Sequence, residues 1–167
     1  MHHDLEPTAG VDIVGDLTDS AFLRSLERLE IRSVMCCNVL EHVPDPAQVA
    51  VAIERVVAPG GYLLVTVPSR YPYHPGPIDT LFRPTVGELR LLFPALAVTS
   101  SAEVRCESLI AYLLASPTKW ASLAHGVRTL AKRDSESHAP PRPPFPEMAR
   151  MAFLSTAVSA IVLRASA

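Results

Sequence analysis

Between Ser33 and Pro68 the sequence changes its periodicity twice, and neither an all-helical nor an all-strand fold accommodates both changes. "SVMCCN", Ser33 to Asn38, is a short run of small and apolar residues of strand length. "VPDP" follows, with Asp45 placed to cap a helix and Pro46 in its first position, where a missing N–H costs nothing. Val49, Ile53, Val56 and Val57 then mark the buried side of that helix, and "APGG" is expected to end it. "YLLVTVP", Tyr62 to Pro68, is almost continuously apolar, the pattern of a strand buried on both faces.

The flanking sequence extends the alternation. "VDIVGD", Val11 to Asp16, reads as a β-branched strand closing on a Gly-Asp turn. Thr18 or Asp19 can cap the next helix, whose Phe22, Leu23, Leu26 and Leu29 should face a sheet. Strand, helix, strand, helix, strand is an α/β pattern. Past Pro68 runs "SRYPYHPGPIDTLFRPT", longer than most connections in a compact domain and therefore a candidate functional loop, in which Asp79 and Arg83 are spaced for a local ion pair. Thr85 with Glu88 three residues on forms a capping-box signature for a helix from Val86 to Phe93. Leu96 to Thr99 and Ser155 to Arg164 read as two further strands. Between them lie an apolar helical region, Ser108 to Leu130, which Pro117 should kink or divide, and a charged, proline-rich loop from Arg133 to Pro146. We therefore expect one domain over 1–167, with a helical and proline-rich insertion over 108–150 before the last strand.

Composition narrows the function by exclusion. A net charge of -2 with singly scattered Lys and Arg gives no one-sided basic field, so nucleic acid is not an expected partner. The longest apolar run, Ala152 to Leu163, is interrupted by Ser155, Thr156 and Ser159 and falls short of the roughly 20 residues of a membrane span. "MHHDLEP" lacks the basic start and apolar stretch of a signal peptide, and a cytoplasmic chain is expected. Cys36 and Cys37 are adjacent in one strand and cannot readily pair, leaving Cys106 odd; buried free thiols are the simpler interpretation. His2, His3, His42 and His74 show neither the Cys pairing nor the helical His spacing of a zinc site, so no metal is expected.

In an open parallel sheet, ligands bind at the carboxyl ends of the strands. Asp16, then Asn38 with Glu41 and His42, then the loop from Ser69 to His74 each follow a strand end and should collect along one sheet edge. Each has a purely structural alternative: Asp16 as a turn former, His42 as a helix-end or packing histidine, Glu41 as a solvated turn residue.

The segments "VDIVGDL", "SVMCCNVLEHVPDP", "ERVVAPGGYLLVTVP" and "YPYHPGPIDTLFRPTVGEL" resemble, in order and spacing, consecutive segments of class I S-adenosylmethionine-dependent methyltransferases, especially the methyltransferase type 11 group. The resemblance spans Asp4 to Phe93 and implies a Rossmann-like sheet, S-adenosylmethionine as cofactor and methyl transfer to an acceptor, most simply a small molecule. It implies Asp16 and Leu17 at the adenine, Asn38 beside the adenosyl and methionine portions, and Asp4 on the ribose hydroxyls, although Asp4 also fits a frayed terminus. His42, Tyr71, Tyr73 and His74 become the candidates to orient or deprotonate an acceptor.

The resemblance also implies an earlier strand and a glycine-rich turn that holds the methionine carboxylate. Neither is found: the glycines are Gly10, Gly15, Gly60, Gly61, Gly76, Gly87 and Gly126, and no two have G-x-G spacing. An N-terminally truncated sheet is thus expected, with the first strand and glycine-rich turn missing, half a cofactor site, and self-association through an exposed strand edge beside Val34 to Cys37. Two alternatives to a truncated enzyme remain. One is a non-catalytic remnant that acts as an interaction module; the other is a small-ligand binding protein of the same fold.

Overall fold

The computed structural model describes residues 1–73, 78–108, 111 and 155–166. Its central element is a four-stranded sheet in the order β3-β4-β6-β5, formed by β3 (Ile31–Cys37), β4 (Val57–Arg70), β5 (Ala97–Cys106) and β6 (Thr156–Arg164). β3 and β4 are parallel, while β6 runs antiparallel to both of its neighbours, β4 and β5. β1 (His3–Asp4) and β2 (Ile13–Val14) form a separate parallel pair. This corrects the expectation that the strand at Val11 to Asp16 would share one sheet edge with those that follow.

Among the described residues, three α-helices lie in the connections. α1 (Ser20–Glu27) is capped by Asp19, whose carboxylate accepts the N–H groups of Ala21 and Phe22. α2 (Pro46–Val56) is capped by Asp45 through the Gln48 N–H, with Pro46 opening the helix. α3 (Val86–Leu91) carries the complete capping box: Thr85 accepts from the Glu88 N–H and Glu88 accepts from the Thr85 N–H. Leu23 and Leu26 are buried on α1 as their spacing requires, whereas Leu29 lies beyond the last turn and is exposed.

"APGG" does not separate α2 from the next strand as a free turn. β4 begins at Val57, directly after α2, and the turn sequence survives as an irregularity in the ladder: Ile31 pairs with Val57, but Ser33 pairs with Tyr62. Gly61 is held against β3 so closely that a Cβ there would stand 2.8 Å from the Arg32 carbonyl oxygen.

The main core lies on one face of the sheet. Leu63, Val65 and Val67 of β4, with Ile161 and Leu163 of β6, pack against Val49, Ala50 and Ile53 of α2, Leu89 of α3 and Phe93. The other face is far less covered, with Met35 73% and Tyr62 46% exposed. β4 is therefore not buried on both faces: its apolar run alternates between a fully buried and a partly exposed set. A second cluster, Leu23, Leu26, Ala52 and Val56, joins α1 to α2 and receives Ile13 and Leu17 from the β2 side and Ile31 and Val34 from β3. The two sheets are thus connected through side chains under α1. The Glu27–Arg55 ion pair, 2.7 Å, adds an exposed link between the helices.

Of the expected insertion over 108–150, all but residues 108 and 111 lies outside the described residues, as do the kink at Pro117, the Arg133 to Pro146 loop and His74. Among the described residues no helix is long and apolar enough to cross a membrane.

Candidate functional site

The polar residues that follow the strand ends fall into two groups. The first belongs to the β1–β2 pair. Asp4 ends β1, and its Oδ1 accepts the N–H groups of Leu5 at 2.6 Å and Glu6 at 3.4 Å; the residue sits in a paired strand, so the frayed-terminus alternative does not hold. Its backbone oxygen accepts the Gly15 N–H at 3.1 Å, which brings the Asp4 strand end beside the turn that carries Asp16. His3 locks the same turn through Nε2 to the Gly15 carbonyl at 2.7 Å and stacks on Phe22. A Cβ at Gly15 would lie 2.4 Å from the Phe22 ring, so a larger residue there would displace that ring from His3.

Asp16 Oδ1 accepts both the Thr18 N–H at 2.8 Å and the Thr18 hydroxyl at 2.7 Å. These bonds favour the ionised form and hold the Asp16 carboxyl below its usual range, with nearby His3 adding to the effect. The turn-former reading of Asp16 is therefore met, and the residue is also an exposed, ionised acceptor at the end of β2. Leu17 is half-buried and packs against both hydrophobic clusters, which fixes this turn to the core.

The second group follows β3. Asn38 adopts a left-handed backbone, φ 54°, which only glycine and short polar residues such as asparagine tolerate readily. Its N–H donates to the Thr66 carbonyl at 2.8 Å and its Oδ1 accepts the Thr66 hydroxyl at 3.5 Å, tying the end of β3 to β4. Thr66 was not anticipated as a site residue, although a lone hydroxyl inside "YLLVTVP" is the kind of signal that marks one.

The chain then makes a 3-10 turn, Leu40–His42, in which Leu40 and Glu41 are buried. His42 Nδ1 is hydrogen-bonded to the Ile78 carbonyl, and His42 Nε2 lies 3.8 Å from Glu41 Oε1. The Glu41 carbonyl accepts both the N–H and the hydroxyl of Thr80, each at 3.0 Å. Glu41 is 1% exposed, so its solvated reading is overturned, and the His42 ring is tied to the segment that carries Ile78. Thr80 was missed, because nothing local in "IDTLFR" indicates which distant carbonyl its hydroxyl will meet.

The loop itself is held from within. The Asp79–Arg83 pair forms at 2.6 Å with the carboxylate fully buried, and the guanidinium also donates to the carbonyls of Tyr71 and Phe82. The Ser159 hydroxyl, buried on β6, donates to the Pro84 carbonyl and fastens the far end of the loop. Tyr71 and Tyr73 leave their side chains exposed beside it. Ser69 belongs to β4 rather than to a loop, and its hydroxyl donates to Glu103 at 3.4 Å.

Cys36 alone of the three cysteines is buried; Cys37 and Cys106 are exposed, which corrects the expectation of three buried thiols. Burial, with smaller contributions from Cys37 and Glu41, pushes the Cys36 thiol up to about 12, so it is protonated and inert at neutral pH. Among the described residues no cluster of His, Cys, Asp and Glu could hold a metal ion.

Asp4 and Asp16 are carboxylates at adjoining strand ends, suited to hydroxyl and amine donors, and Asn38 offers an amide at the end of β3.

Residues 9–65 match the model of the methyltransferase domain family. The ubiquinone biosynthesis O-methyltransferase of Saccharophagus degradans is 33% identical over 70 residues, 42% of this chain and 29% of that protein. The enzyme of the same name from Pseudomonas aeruginosa is 49% identical over 39 residues, 23% of this chain and 17% of that protein. The chain thus matches less than a third of the length of these relatives. Among solved structures, that of the MccD protein is similar with a TM-score of 0.53 at 14% identity, over 92% of this chain and 67% of that one. That likeness concerns the fold, a Rossmann-like α/β arrangement.

Proposed function

We propose, from the premise that residues 9–65 are a segment of the methyltransferase domain family, that this chain serves S-adenosylmethionine-dependent methyl transfer to a small-molecule acceptor. The observation that carries the reading is that the matched segment contains β2, β3 and the start of β4 and, at their carboxyl ends, Asp16, Leu17, Asn38 and His42.

In this reading Asp16 accepts from the adenine amine, Leu17 lies along the base, Asp4 accepts from the ribose hydroxyls and Asn38 meets the adenosyl and methionine portions. Bound S-adenosylmethionine supplies an electrophilic methyl on a sulfonium sulfur. The task of the chain is then positioning, because alignment of acceptor and methyl supplies much of the acceleration of a direct displacement. Relatives named as O-methyltransferases favour an acceptor with an ionisable hydroxyl. His42 then takes its proton, and Tyr71 and Tyr73, exposed on the adjoining loop, flank the acceptor, with His74 as a further candidate. The net charge of -2 and the unpaired cysteines fit a cytoplasmic chain that binds no nucleic acid.

Isothermal calorimetry with S-adenosylmethionine, followed by transfer of a labelled methyl to a panel of phenols and catechols, tests the reading. Binding that is lost in Asp16→Ala supports it; absence of both binding and transfer at millimolar cofactor overturns it.

A second reading is favoured by one feature. β3 ends the four-stranded sheet, and among the described residues no strand pairs with its outer side. A non-catalytic module that associates through this edge, with a second copy of itself, would use that edge directly.

A further inference from the structure

His42 is bonded through Nδ1 to a segment 36 positions along the chain, and the chemistry of that bond fixes which of its nitrogens can act as a base. The Ile78 carbonyl bonded to Nδ1 is an acceptor only, so the proton of that bond resides on Nδ1. In the neutral ring Nε2 then carries the lone pair, and it is Nε2 that stands 3.8 Å from the buried Glu41 carboxylate. The bond made by one imidazole nitrogen sets the state of the other.

Ile78 is not in a helix or strand, so something must keep its carbonyl on the ring. Two residues on, Thr80 places both its N–H and its hydroxyl on the Glu41 carbonyl, each at 3.0 Å. That carbonyl belongs to the peptide bond leading into His42, so the clamp closes a short circuit: Glu41, His42, Ile78, Asp79, Thr80. The next residue, Leu81, is held at φ 60°, a backbone that a leucine adopts only when its surroundings enforce it. The Leu81 N–H is taken by Asp79 Oδ1 at 2.9 Å, and Asp79 is pinned by Arg83. The segment is therefore strained and fastened at two points, one of which is Thr80.

We infer that Thr80 is a positioning residue for His42: by fastening residues 78–80 to the Glu41 carbonyl it keeps the Ile78 carbonyl on Nδ1 and fixes His42 with Nε2 as its basic nitrogen. The reason a basic Nε2 matters rests on the methyl-transfer reading above; the clamp and the tautomer do not.

Nitrogen-15 spectra of the imidazole groups in the full chain test this directly. Wild-type His42 should carry its proton on Nδ1. Thr80→Val, which removes the hydroxyl and keeps the N–H, should move the tautomer ratio roughly fivefold toward Nε2–H, the equivalent of one ordinary hydrogen bond, and Thr80→Ser should restore the wild-type ratio. Thr80→Ala makes the same deletion without a branched side chain and should give the same shift if the valine variant does not fold. A wild-type His42 protonated on Nε2, or a Thr80→Ala spectrum identical to wild type, overturns the inference. The expected tautomers in a chain that transfers no methyl group would leave the clamp standing and remove the function; transfer with the tautomer unchanged by Thr80→Ala would do the reverse.

Discussion

Arg83 Nη2 sits 2.6 Å from Asp79 Oδ2, and with the carboxylate fully buried and the guanidinium 13% exposed this ion pair is shielded from the solvent that weakens surface pairs. The same guanidinium donates to the Tyr71 carbonyl, so one side chain joins the two ends of the loop that borders His42. Arg83→Ala removes the cation from a buried carboxylate and should cost about 3 to 5 kcal/mol in denaturant unfolding. The double variant Asp79→Leu, Arg83→Met should recover much of that loss, because it removes both desolvated charges. A single variant within about 0.5 kcal/mol of wild type would show that the pair does not hold the loop.

Asn38 can separate backbone from side-chain roles. Its φ of 54° favours asparagine or glycine, so Asn38→Gly should leave the melting temperature nearly unchanged while Asn38→Ala lowers stability by about 1 kcal/mol. If the amide meets the cofactor, both variants should lose affinity for S-adenosylmethionine in calorimetry, the glycine variant without any loss of fold.

The helix starts that were legible in the sequence share a local cause. Asp45 with Pro46, Thr85 with Glu88, and Asp19 are caps whose partners lie within three residues, and each forms as its spacing requires. What could not be read is set by distant partners. The ladder absorbs "APGG" because Ile31 and Ser33 happen to pair on either side of it, and Thr80 meets Glu41 across 39 positions of chain. Strand ends told where polar groups would be found, as with Asp16 and Asn38, but not that β2 would leave the main sheet, since periodicity carries no information on which strand is a neighbour.

The Asp16 carboxyl titrates low because Thr18 donates twice to its ionised form. A carboxyl lowered in the folded state contributes stability above its unfolded pKa, and that contribution is lost as pH falls through the lowered value. Thr18→Ala should therefore raise the Asp16 midpoint in a carbon-13 NMR titration toward that of an ordinary aspartate, and should flatten the acid limb of the stability curve. An unchanged midpoint would mean that Thr18 does not set the charge at this turn.

Cys36 and Cys37 are neighbours in sequence with opposite exposure, since β3 presents successive side chains to opposite faces. Iodoacetamide at neutral pH should label Cys37 and Cys106 in the folded chain and leave Cys36 unmodified, read by peptide mass spectrometry. Because Cys37 precedes Asn38, saturating S-adenosylmethionine should slow labelling at Cys37 and leave Cys106 unaffected. Equal slowing at both would point to a global change rather than to a ligand at the end of β3.

The outer edge of β3 can be tested without disturbing its inner ladder. The Asn38 N–H points to the Thr66 carbonyl on β4, and since N–H directions alternate along a strand, those of Met35 and Cys37 point away from β4. Proline is tolerated in a strand where the N–H it removes faces outward, and Met35, 73% exposed, loses little packing when replaced. The wild-type chain should therefore elute as a dimer or larger species by size-exclusion chromatography with light scattering at micromolar concentration, because an uncovered strand edge is a template for pairing. Met35→Pro should elute as a monomer with an unchanged far-ultraviolet circular dichroism spectrum. If both proteins are monomers, the edge is not a pairing surface; if both associate alike, association runs through another part of the molecule. In either case the interaction-module reading loses its support, and the polar strand ends beside Asp16 and Asn38 carry the functional argument alone.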